Sequence, residues 1–235
     1  MIESLIPSAE EFVSYALRIR ALELVPEGRK LKSGRSSPYF FNSGLFNTGG
    51  TLSELAKAYA VNVYKDELKY GRPDVIFGPA YKGIPLVAAV AATLGNSIEY
   101  AFNRKEEKDH GEGGIVVGST SLQGKKVLVV DDVMTTGTSS GEAVEIIRVN
   151  GGTPIGCVIA FDRQERSKDG NLSAVQEFEQ NYGIPVRAAA TLSDLIGVLQ
   201  CYCDSYDPSD INNNAEPPFE ALRKILAYRE QYGVS

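Results

Sequence analysis

Two adjacent carboxylates followed by a turn of small hydroxyl residues are the part of this 235-residue chain that most directly suggests chemistry. Asp131 and Asp132 end an apolar run, and Gly137 stands among threonines just before a helix-like segment. Backbone N–H groups at the start of a helix, with a glycine that permits close approach, form an anion site. A carboxylate pair cannot neutralise a phosphate, but it can accept hydrogen bonds from the vicinal hydroxyls of a sugar. The stretch from Val127 to Gly141 therefore indicates a loop that binds a phosphorylated ribose.

The alternative interpretation of this loop is an ordinary helix cap beside two solvated acids. It is disfavoured because both acids stand directly against an apolar strand. The chain has no G-x-x-x-x-G-K-[ST] pattern and no G-x-G-x-x-G pattern after a strand. P-loop and dinucleotide-binding functions are therefore excluded.

The elements that must position this loop follow an alternating pattern from Pro73 onward. Apolar strands are predicted at Val75–Phe77, Ile98–Phe102, Val127–Val130, Ile155–Phe161 and Val186–Ala189. Helices are predicted at Ile84–Leu94, Ser139–Val149, Ser173–Tyr182, Ser193–Cys203 and Pro218–Gln231. Continuous apolar strands are typical of a sheet buried on both faces, so the predicted fold class is α/β, a mainly parallel twisted sheet flanked by helices. Ligands of such a sheet bind beyond the carboxyl ends of its strands.

A single domain is expected, with a small N-terminal hood over about residues 1–50, an α/β core over about residues 73–190 and C-terminal helices over about residues 191–235. In the hood, a helix is predicted from Ser8 to Leu24, with Ser8 and Glu11 forming a capping box. The segment KLKSGRSSPYFFNSGLF is typical of short strands and turns. A further helix is predicted from Thr51 to Lys69.

Composition limits the partners and the location. The net charge is −6, so a large nucleic-acid surface, which would be basic, is not expected. The cysteines Cys157, Cys201 and Cys203 are odd in number and lack the further ligands of a zinc site. No apolar stretch approaches about 18 residues, so no membrane span is expected. The acidic N-terminus is unlike a signal peptide, and the predicted location is the cytoplasm.

The segment from Val129 to Ser139 resembles the phosphoribosyl diphosphate (PRPP) signature of the type I phosphoribosyltransferases. The resemblance implies that Asp131 and Asp132 contact the ribose hydroxyls. It also implies that the following loop wraps the 5′-phosphate of PRPP with Val133, Met134, Thr135, Thr136, Gly137, Thr138 and Ser139. A second loop, FGPAYKGIP, contains Tyr81 and Lys82 and would contact the pyrophosphate. From composition alone a solvated turn is an equally good interpretation of this second loop.

A third segment, FNRKEEKDHGEGGIVVG, narrows the resemblance to the orotate phosphoribosyltransferases, whose catalytic loop it is similar to. Its charges nearly cancel, so a solvated flap is the alternative, but its glycines favour mobility and it contains the one histidine of the chain. The family resemblance implies a flap over residues 104–114 that reaches the neighbouring site of a homodimer. The PRPP-contacting residues would be Arg104, Lys105, Lys108 and His110.

Two more segments resemble the same family. Lys32 matches its active-site lysine, which contacts PRPP, and Phe40 and Phe41 match an aromatic pair that lies against the orotate ring. Arg163 matches the orotate-binding arginine, and Thr135 the orotate-contacting threonine. An arginine suits this task because its planar fork pairs with a carboxylate in two parallel hydrogen bonds. Arg35 and Arg166 have no assigned contact and are interpreted as surface or supporting residues.

The implied reaction is orotate plus PRPP giving orotidine 5′-monophosphate and pyrophosphate. The implied catalytic residues are Lys108, Arg104, His110, Asp131 and Asp132, and the role of His110 as acid or donor is left open. Mg²⁺ is the implied cofactor, held mainly by PRPP, and a contact through water to Asp131 or Asp132 is left open. The alternatives are transfer to another base, and a regulator that keeps the PRPP site without catalysis. Phe40, Phe41 and Arg163 argue against the first, and the cationic flap against the second.

Overall fold

The structure, a computed structural model, describes residues 7–31, 33–95, 98–108, 114–167, 170–206 and 218–234, without the side chains of residues 64–70 and 107–108. A six-stranded sheet forms its centre, in the order β5-β4-β3-β6-β7-β8. The strands are β3 (Val75–Gly78), β4 (Glu99–Lys108), β5 (Gly114–Gly118), β6 (Lys126–Val130), β7 (Thr153–Asp162) and β8 (Val186–Thr191). Only the β4–β5 pair among these is antiparallel. The predicted α/β class with a mainly parallel sheet is confirmed.

Helices cover both faces of this sheet. They are α1 (Ala9–Arg18), α2 (Gly49–Tyr70), α3 (Gly83–Leu94), α4 (Thr138–Val149), α5 (Ala174–Tyr182), α6 (Leu192–Asp204) and α7 (Phe219–Tyr232). Leu128 and Val130 face the core that α1, α2, α3, α6 and α7 complete, whereas Val127 and Val129 face the core of α4 and α5. Both sides of β6 are therefore apolar, which explains why its sequence does not alternate.

The strand order of the sheet reverses between β3 and β6. From β3 it proceeds outward through β4 to β5, and then returns to β6 on the other side of β3 before continuing to β7 and β8. Loops at the carboxyl ends of β3 and β6 diverge at such a point, which leaves a crevice where ligands of α/β sheets bind. The loop after Gly78 and the loop after Val130 border this crevice.

A separate antiparallel hairpin of β1 (Leu22–Lys30) and β2 (Ser36–Phe41) belongs to the predicted hood, and a short 3₁₀ helix (Ser43–Leu45) follows it. Tyr39 and Phe41 of β2 belong to the same apolar core as Phe161 at the end of β7. Helix α7 also contacts the hairpin, because Lys224 Nζ donates to the carbonyl of Pro26 at 2.6 Å. The division of the chain into hood, core and C-terminal helices stays a prediction.

The secondary-structure predictions hold for each long element and fail at two places. The capping box of α1 is present, with Ser8 Oγ accepting from the amide of Glu11 at 3.1 Å. The helix nevertheless ends at Arg18 rather than near Leu24, because Arg20 adopts a left-handed φ of 59° and turns the chain into β1. The predicted loop around residues 104–114 is also wrong in part. Residues 104–108 continue β4, and Gly114 begins β5.

No helix within the described ranges is long and apolar enough to cross a membrane.

Candidate active site

Asp131 and Asp132 stand at the end of β6, and each is only 7% exposed. The Asp131 carboxylate accepts from the amide of Asp132 at 2.9 Å and from Ser140 Oγ at 2.8 Å. Its backbone carbonyl accepts from the buried Tyr59 hydroxyl at 2.6 Å. Burial raises the pKa of the Asp131 carboxyl above its usual value, and the hydrogen bond from Ser140 opposes that rise. Asp131 is thus tied to the interior by both its side chain and its backbone.

The Asp132 carboxylate makes different contacts, all toward the crevice. Its Oδ2 accepts from Lys82 Nζ at 2.6 Å and from Ser43 Oγ at 3.0 Å. The Lys82 side chain is 66% exposed, so this ion pair lies at an accessible position. The loops after β3 and β6 and the 3₁₀ helix therefore meet at the Asp132 carboxylate.

The loop from Val133 to Gly137 leads directly into α4. Gly137 is the N-cap residue and has a left-handed φ of 69°. No side chain in the described part of the chain caps this helix, and the hydroxyls of Thr136 and Thr138 instead bond to each other at 2.9 Å. The disfavoured alternative, an ordinary helix cap by a hydroxyl residue, is therefore not what these residues form. Uncapped amides at a helix start, beside exposed hydroxyls, remain available to an anion.

The loop between β3 and α3 is shaped by close backbone contact. A Cβ on Gly78 would come within 2.2 Å of the carbonyl oxygen of Gly83, so neither position has room for a side chain. The buried side chain of Asn103 on β4 accepts from the amide of Ala80 at 2.8 Å. Tyr81, which follows a cis peptide bond, is 72% exposed. The loop thus presents Tyr81 and Lys82 at its surface.

The described part of the flap lies beside the start of α4. Arg104 and Lys105 line a cavity of about 630 Å³ together with residues 136–138. Lys105 Nζ lies 3.7 Å from a carboxylate oxygen of Glu142 on α4. This cavity is lined by neither the acidic pair nor Lys82, so it adjoins the crevice rather than being the whole site. His110 and the side chain of Lys108 lie outside the described residues.

The two phenylalanines of β2 do not form one aromatic surface. Neighbouring residues on a strand point to opposite faces, and Phe41 is buried with its ring stacked on Phe161 at 5.5 Å. Phe40 is partly exposed, and Arg29 lies 4.0 Å from the centre of its ring. The predicted contact of Phe40 and Phe41 with a base stays a prediction, and Phe40 is the more accessible of the two rings. Lys32 lies outside the described residues.

Arg163 follows β7 at the same edge of the sheet and is held by Glu165. The Nε and Nη2 atoms of Arg163 lie 2.8 and 2.5 Å from Glu165 Oε1. Nη2 also donates to Ser37 Oγ of the hood at 3.1 Å. The left-handed conformation of Gln164, at a φ of 51°, separates the two charged residues. Arg35, interpreted from sequence as a surface or supporting residue, lies 3.8 Å from the same carboxylate and its side chain is 16% exposed, so it supports Glu165.

The structure brings the acidic pair, Lys82 and the start of α4 together, and it places Arg163 at the end of the neighbouring strand β7. Sequence reasoning missed the residues that hold these groups: Ser43, Tyr59, Asn103, Ser140 and Glu165. Asn103 could have been noticed as an amide in an apolar strand. Ser43 and Tyr59 carry no local signal, because their partners are distant in sequence. Ser140 and Glu165 lie near their partners in sequence, but their residue types alone do not indicate the pairing.

Metal binding by protein groups alone finds no support in the described residues, where no three potential ligands from His, Cys, Asp and Glu cluster. The two oxygens of Asp131 already accept hydrogen bonds from the protein. Asp132 is the carboxylate that faces the crevice. This donor set suits a hard cation that takes most of its oxygen ligands from a phosphorylated substrate and from water.

Comparison with known proteins identifies relatives along nearly the whole chain. Residues 47–190 match the family model of the phosphoribosyl transferase domain. An orotate phosphoribosyltransferase of Marinobacter nauticus is 47% identical over 229 residues, which cover 96% of this chain and 98% of the relative. That of Cronobacter sakazakii is 46% identical and covers 97% and 99%. The crystal structure of the Francisella tularensis orotate phosphoribosyltransferase is 38% identical, with a TM-score of 0.76, and the match covers 94% of this chain and 98% of that chain.

Proposed function

The chain belongs to the orotate phosphoribosyltransferase family, and on that premise we propose how its residues divide the work of the reaction. A 5-phosphoribosyl group passes from PRPP to orotate, giving orotidine 5′-monophosphate and pyrophosphate, a step of pyrimidine nucleotide synthesis. Two anionic substrates must be held, and the bond from C1 of ribose to pyrophosphate must break while a ring nitrogen approaches from the other side.

The ribose and its 5′-phosphate belong at the β6–α4 loop. Asp132 faces the crevice with a carboxylate that can accept from the ribose hydroxyls, while the uncapped start of α4 offers amides to the phosphate. Residues 133–139 would surround the phosphate, with the exposed Thr135, Thr136 and Thr138 as hydroxyl donors. Asp131 would act beside Asp132, with its orientation set by Ser140.

The pyrophosphate and orotate belong on either side of the ribose. Lys82, at the surface of the β3–α3 loop, supplies a positive charge for the departing pyrophosphate, and its neighbour Tyr81 is exposed next to it. Arg163 supplies a planar fork for the carboxylate of orotate, and Phe40 and Thr135 are the neighbouring base contacts. Lys32 would add a further contact to PRPP.

Bond cleavage leaves a ribose with oxocarbenium character and a polyanionic leaving group. Positive charge placed at the leaving group and exclusion of water are therefore the two needs of the reaction. We assign the charge to Lys82, Arg104, Lys105 and Lys108, with His110 as a donor or acid, and the exclusion of water to closure of the flap. Arg104 and Lys105 already line the cavity that adjoins the phosphate loop.

Mg²⁺ is the proposed cofactor. Asp132, and Asp131 through water, would face a Mg²⁺ held mainly by PRPP oxygens, and the bound ion would neutralise charge on the pyrophosphate. A homodimer is also proposed, in which the flap of one subunit completes the site of the other. The proposed location is the cytoplasm, supported by the odd number of cysteines.

The observation that carries this assignment is the contact of Lys82 with Asp132 across the crevice, beside the uncapped start of α4. The test is release of pyrophosphate from PRPP, measured with and without orotate, and with and without Mg²⁺. We expect release only when both are present, and none when uracil or a purine replaces orotate. Release that does not depend on orotate would overturn the assignment.

Mixing two inactive variants tests the shared site. Lys108→Ala removes a flap residue, and Asp132→Asn removes a ribose contact. If the flap acts across a dimer, hybrid dimers contain one intact site and the mixture regains part of the activity. A mixture as inactive as its components, at concentrations where dimers form and exchange, contradicts a flap that acts in the neighbouring subunit.

A further inference from the structure

Glu165 is an acidic residue placed next to the arginine that has to recognise an anion. Its side chain is only 10% exposed, and burial of a carboxylate is unfavourable unless the charge is paired and hydrogen-bonded. One oxygen, Oε1, accepts from Arg163 and from the Tyr39 hydroxyl at 2.9 Å. The other, Oε2, accepts from the Tyr228 hydroxyl at 3.1 Å. Each oxygen therefore has protein partners from a different element.

The phenols are suited to hold this carboxylate because they remain protonated. Burial raises the pKa of Tyr39 well above its usual value, and burial together with the charge of Glu165 raises the pKa of Tyr228 to about 12. Both hydroxyls therefore donate to Glu165 at any pH at which the protein works. Tyr39 lies on β2 and Tyr228 on α7, so two elements outside the central sheet determine where the carboxylate stands.

Two guanidinium groups share the Glu165 carboxylate. Arg35 Nη1 lies 3.8 Å from Glu165 Oε2, and Arg163 contacts Oε1, so two guanidinium groups accompany one carboxylate. Arg35 is itself anchored by the carbonyl of Arg166 at 2.7 Å and that of Ser167 at 3.2 Å. Glu165 therefore does not cancel the ability of Arg163 to attract an anion.

The orientation of the contact determines which part of Arg163 meets the ligand. Glu165 takes the edge formed by Nε and Nη2, and Arg163 also lies 5.0 Å from the centre of the Tyr39 ring. The Nε proton and one Nη2 proton go to Glu165 and the other Nη2 proton goes to Ser37 Oγ, so Nη1 is the nitrogen directed away from Glu165 and toward a ligand carboxylate. A pair of two parallel hydrogen bonds from this end requires Nη2 to exchange Ser37 for the ligand.

The backbone of the loop that carries Arg163 and Glu165 is hydrogen-bonded to the last residue of α7 and to the chain that follows it. The amide of Val234 donates to the carbonyl of Gln164 at 2.9 Å, and the amide of Arg166 donates to the carbonyl of Tyr232 at 2.8 Å. The side chain of Gln164 accepts from the amide and hydroxyl of Ser193 at 2.9 and 2.7 Å. The C-terminal helix is thus joined to the loop at both its backbone and its charged cluster.

We propose that Glu165 is a positioning residue for base recognition, which holds the guanidinium of Arg163 toward the orotate carboxylate and is itself held by Tyr39 and Tyr228. This inference rests on the proposed function, in which Arg163 binds orotate. It gives α7 a part in substrate recognition although the helix carries none of the proposed substrate contacts.

A double-mutant cycle in the full-length protein tests the inference. Glu165→Ala should raise KM for orotate on the order of tenfold, since residues within one hydrogen-bonded network show coupling of that size. KM for PRPP should stay within about twofold of the wild-type value, because a local role does not reach the phosphate loop. Glu165→Gln keeps an acceptor oxygen for the Nε–Nη2 edge and should recover most of the loss. In the Arg163→Ala background, Glu165→Ala should have no further effect on KM for orotate.

The matched control is Glu99→Ala. Glu99 is the first residue of β4, at the sheet edge away from the crevice, and its carboxylate accepts from Lys125 at 2.7 Å and from Ser119 at 2.6 Å. The Glu99→Ala variant should leave both KM values unchanged. If Glu165→Ala does not fold, Tyr228→Phe replaces it, because this variant keeps the ring and removes only the donor. It should raise KM for orotate about threefold, less than Glu165→Ala, because Tyr228 acts on Arg163 only through Glu165, and it should leave KM for PRPP unchanged.

The outcomes separate this inference from the proposed function. If Arg163→Ala leaves KM for orotate unchanged, the assignment of Arg163 under the proposed function is overturned, and this inference with it. If Arg163→Ala raises KM for orotate but the Glu165 and Tyr228 variants do not, only this inference is overturned. The same holds if the effects of Arg163→Ala and Glu165→Ala multiply, or if both KM values rise together, since either result shows a structural role only.

Discussion

Replacing Gly137 by alanine separates what the left-handed residue at the start of α4 does for the fold from what it does for the ligand. A Cβ at this position would meet Phe178 Cδ2 at 3.4 Å and Met134 Sδ at 3.7 Å, which are ordinary contacts. The cost is therefore conformational, about 1–2 kcal/mol for a left-handed L-residue. The smaller entropy of the unfolded alanine chain offsets about 0.4–1 kcal/mol of it. We expect a net loss of about 1 kcal/mol, which lowers Tm by roughly 2–4 °C in a protein of this size.

The effect on ligand binding should be larger than the effect on stability. The added methyl group lies against Phe178 at the wall of the cavity that residues 136–138 line, and we expect the strained turn to move the uncapped amides of α4 away from a bound phosphate. Loss of one hydrogen bond to a charged group is worth about 1.5–3 kcal/mol, so KM for PRPP should rise more than about tenfold. KM for orotate should change little, because Arg163 lies on a different strand end.

Gly183→Ala is the matched control. Gly183 caps the C-terminal end of α5 with nearly the same φ, 70°, and no atom lies within 4 Å of its added Cβ. Both variants should lose the same stability in thermal unfolding, and only Gly137→Ala should show the rise in KM for PRPP in initial-rate assays. An unchanged KM for PRPP in Gly137→Ala would refute the assignment of this helix start to the phosphate.

Two further predictions concern charge. Lys108→Ala should lower kcat on the order of 10²–10³-fold, the usual effect of losing one stabilising contact to developing charge. The control, Lys57→Ala, removes a lysine paired with Glu54 on α2 and should leave kcat unchanged. Full turnover in Lys108→Ala would reject the flap assignment. The second prediction follows from burial, which raises the pKa of the Asp131 carboxyl. The folded protein therefore binds the proton of this carboxyl more tightly than the unfolded chain does. The contribution of Asp131 to stability should fall as pH rises from about 4 through the folded-state pKa. Urea unfolding between pH 4 and 7 should show this fall as the difference between wild type and Asp131→Asn, and a difference of opposite slope would contradict it.

The central elements could be predicted because their sequences reflect burial on both sides. Val127–Val130 is apolar without alternation, and both faces of β6 are indeed covered by helices. The position of the acidic pair follows from the same pattern, because the carboxyl ends of parallel strands lie at one edge of a sheet. The sequence alone thus predicts the edge of the sheet where the crevice lies and the acidic pair and Lys82 that stand there.

The flap strands could not be predicted in the same way. Residues 104–108 are charged and lie on a hairpin at the edge of the sheet, where a strand needs no apolar face. The end of α1 was missed because Arg20 takes a left-handed conformation without the glycine that usually signals one. In both places backbone pairing or tertiary contact determines the conformation against the local pattern.

The support of Arg163 is beyond prediction from sequence for a different reason. The hydroxyls that hold Glu165 come from Tyr39 and Tyr228, which are 126 and 63 residues away from it. Neither tyrosine has an unusual neighbour, and each would be assigned to the core by its apolar surroundings. Only the packing of the hairpin and α7 against the end of β7 brings these groups together.

Asp131 and Asp132 have different roles, the first in stability and the second in ligand binding, and each accepts a hydrogen bond from a different serine. Ser140 donates to Asp131 at 2.8 Å in the interior, whereas Ser43 donates to Asp132 at 3.0 Å at the crevice. Ser140→Ala leaves a buried carboxylate oxygen without that donor, so it should lower the free energy of unfolding by about 1–3 kcal/mol. Ser43→Ala should lower it by less than about 0.5 kcal/mol, since Ser43 is partly exposed and Asp132 keeps Lys82 as a partner.

The effect of the two variants on KM for PRPP should have the opposite order, with Ser43→Ala having the larger effect. Removing the Ser43 hydroxyl leaves Lys82 as the partner of Asp132 Oδ2, so the orientation in which Asp132 meets the ribose is held less firmly. KM for PRPP should therefore rise severalfold, by about the value of one hydrogen bond. Urea unfolding and initial rates measured on the two variants give both quantities from the same preparations. A Ser43→Ala variant that loses more stability than Ser140→Ala, with an unchanged KM for PRPP, would show that Asp132 rather than Asp131 is the acid that the fold requires.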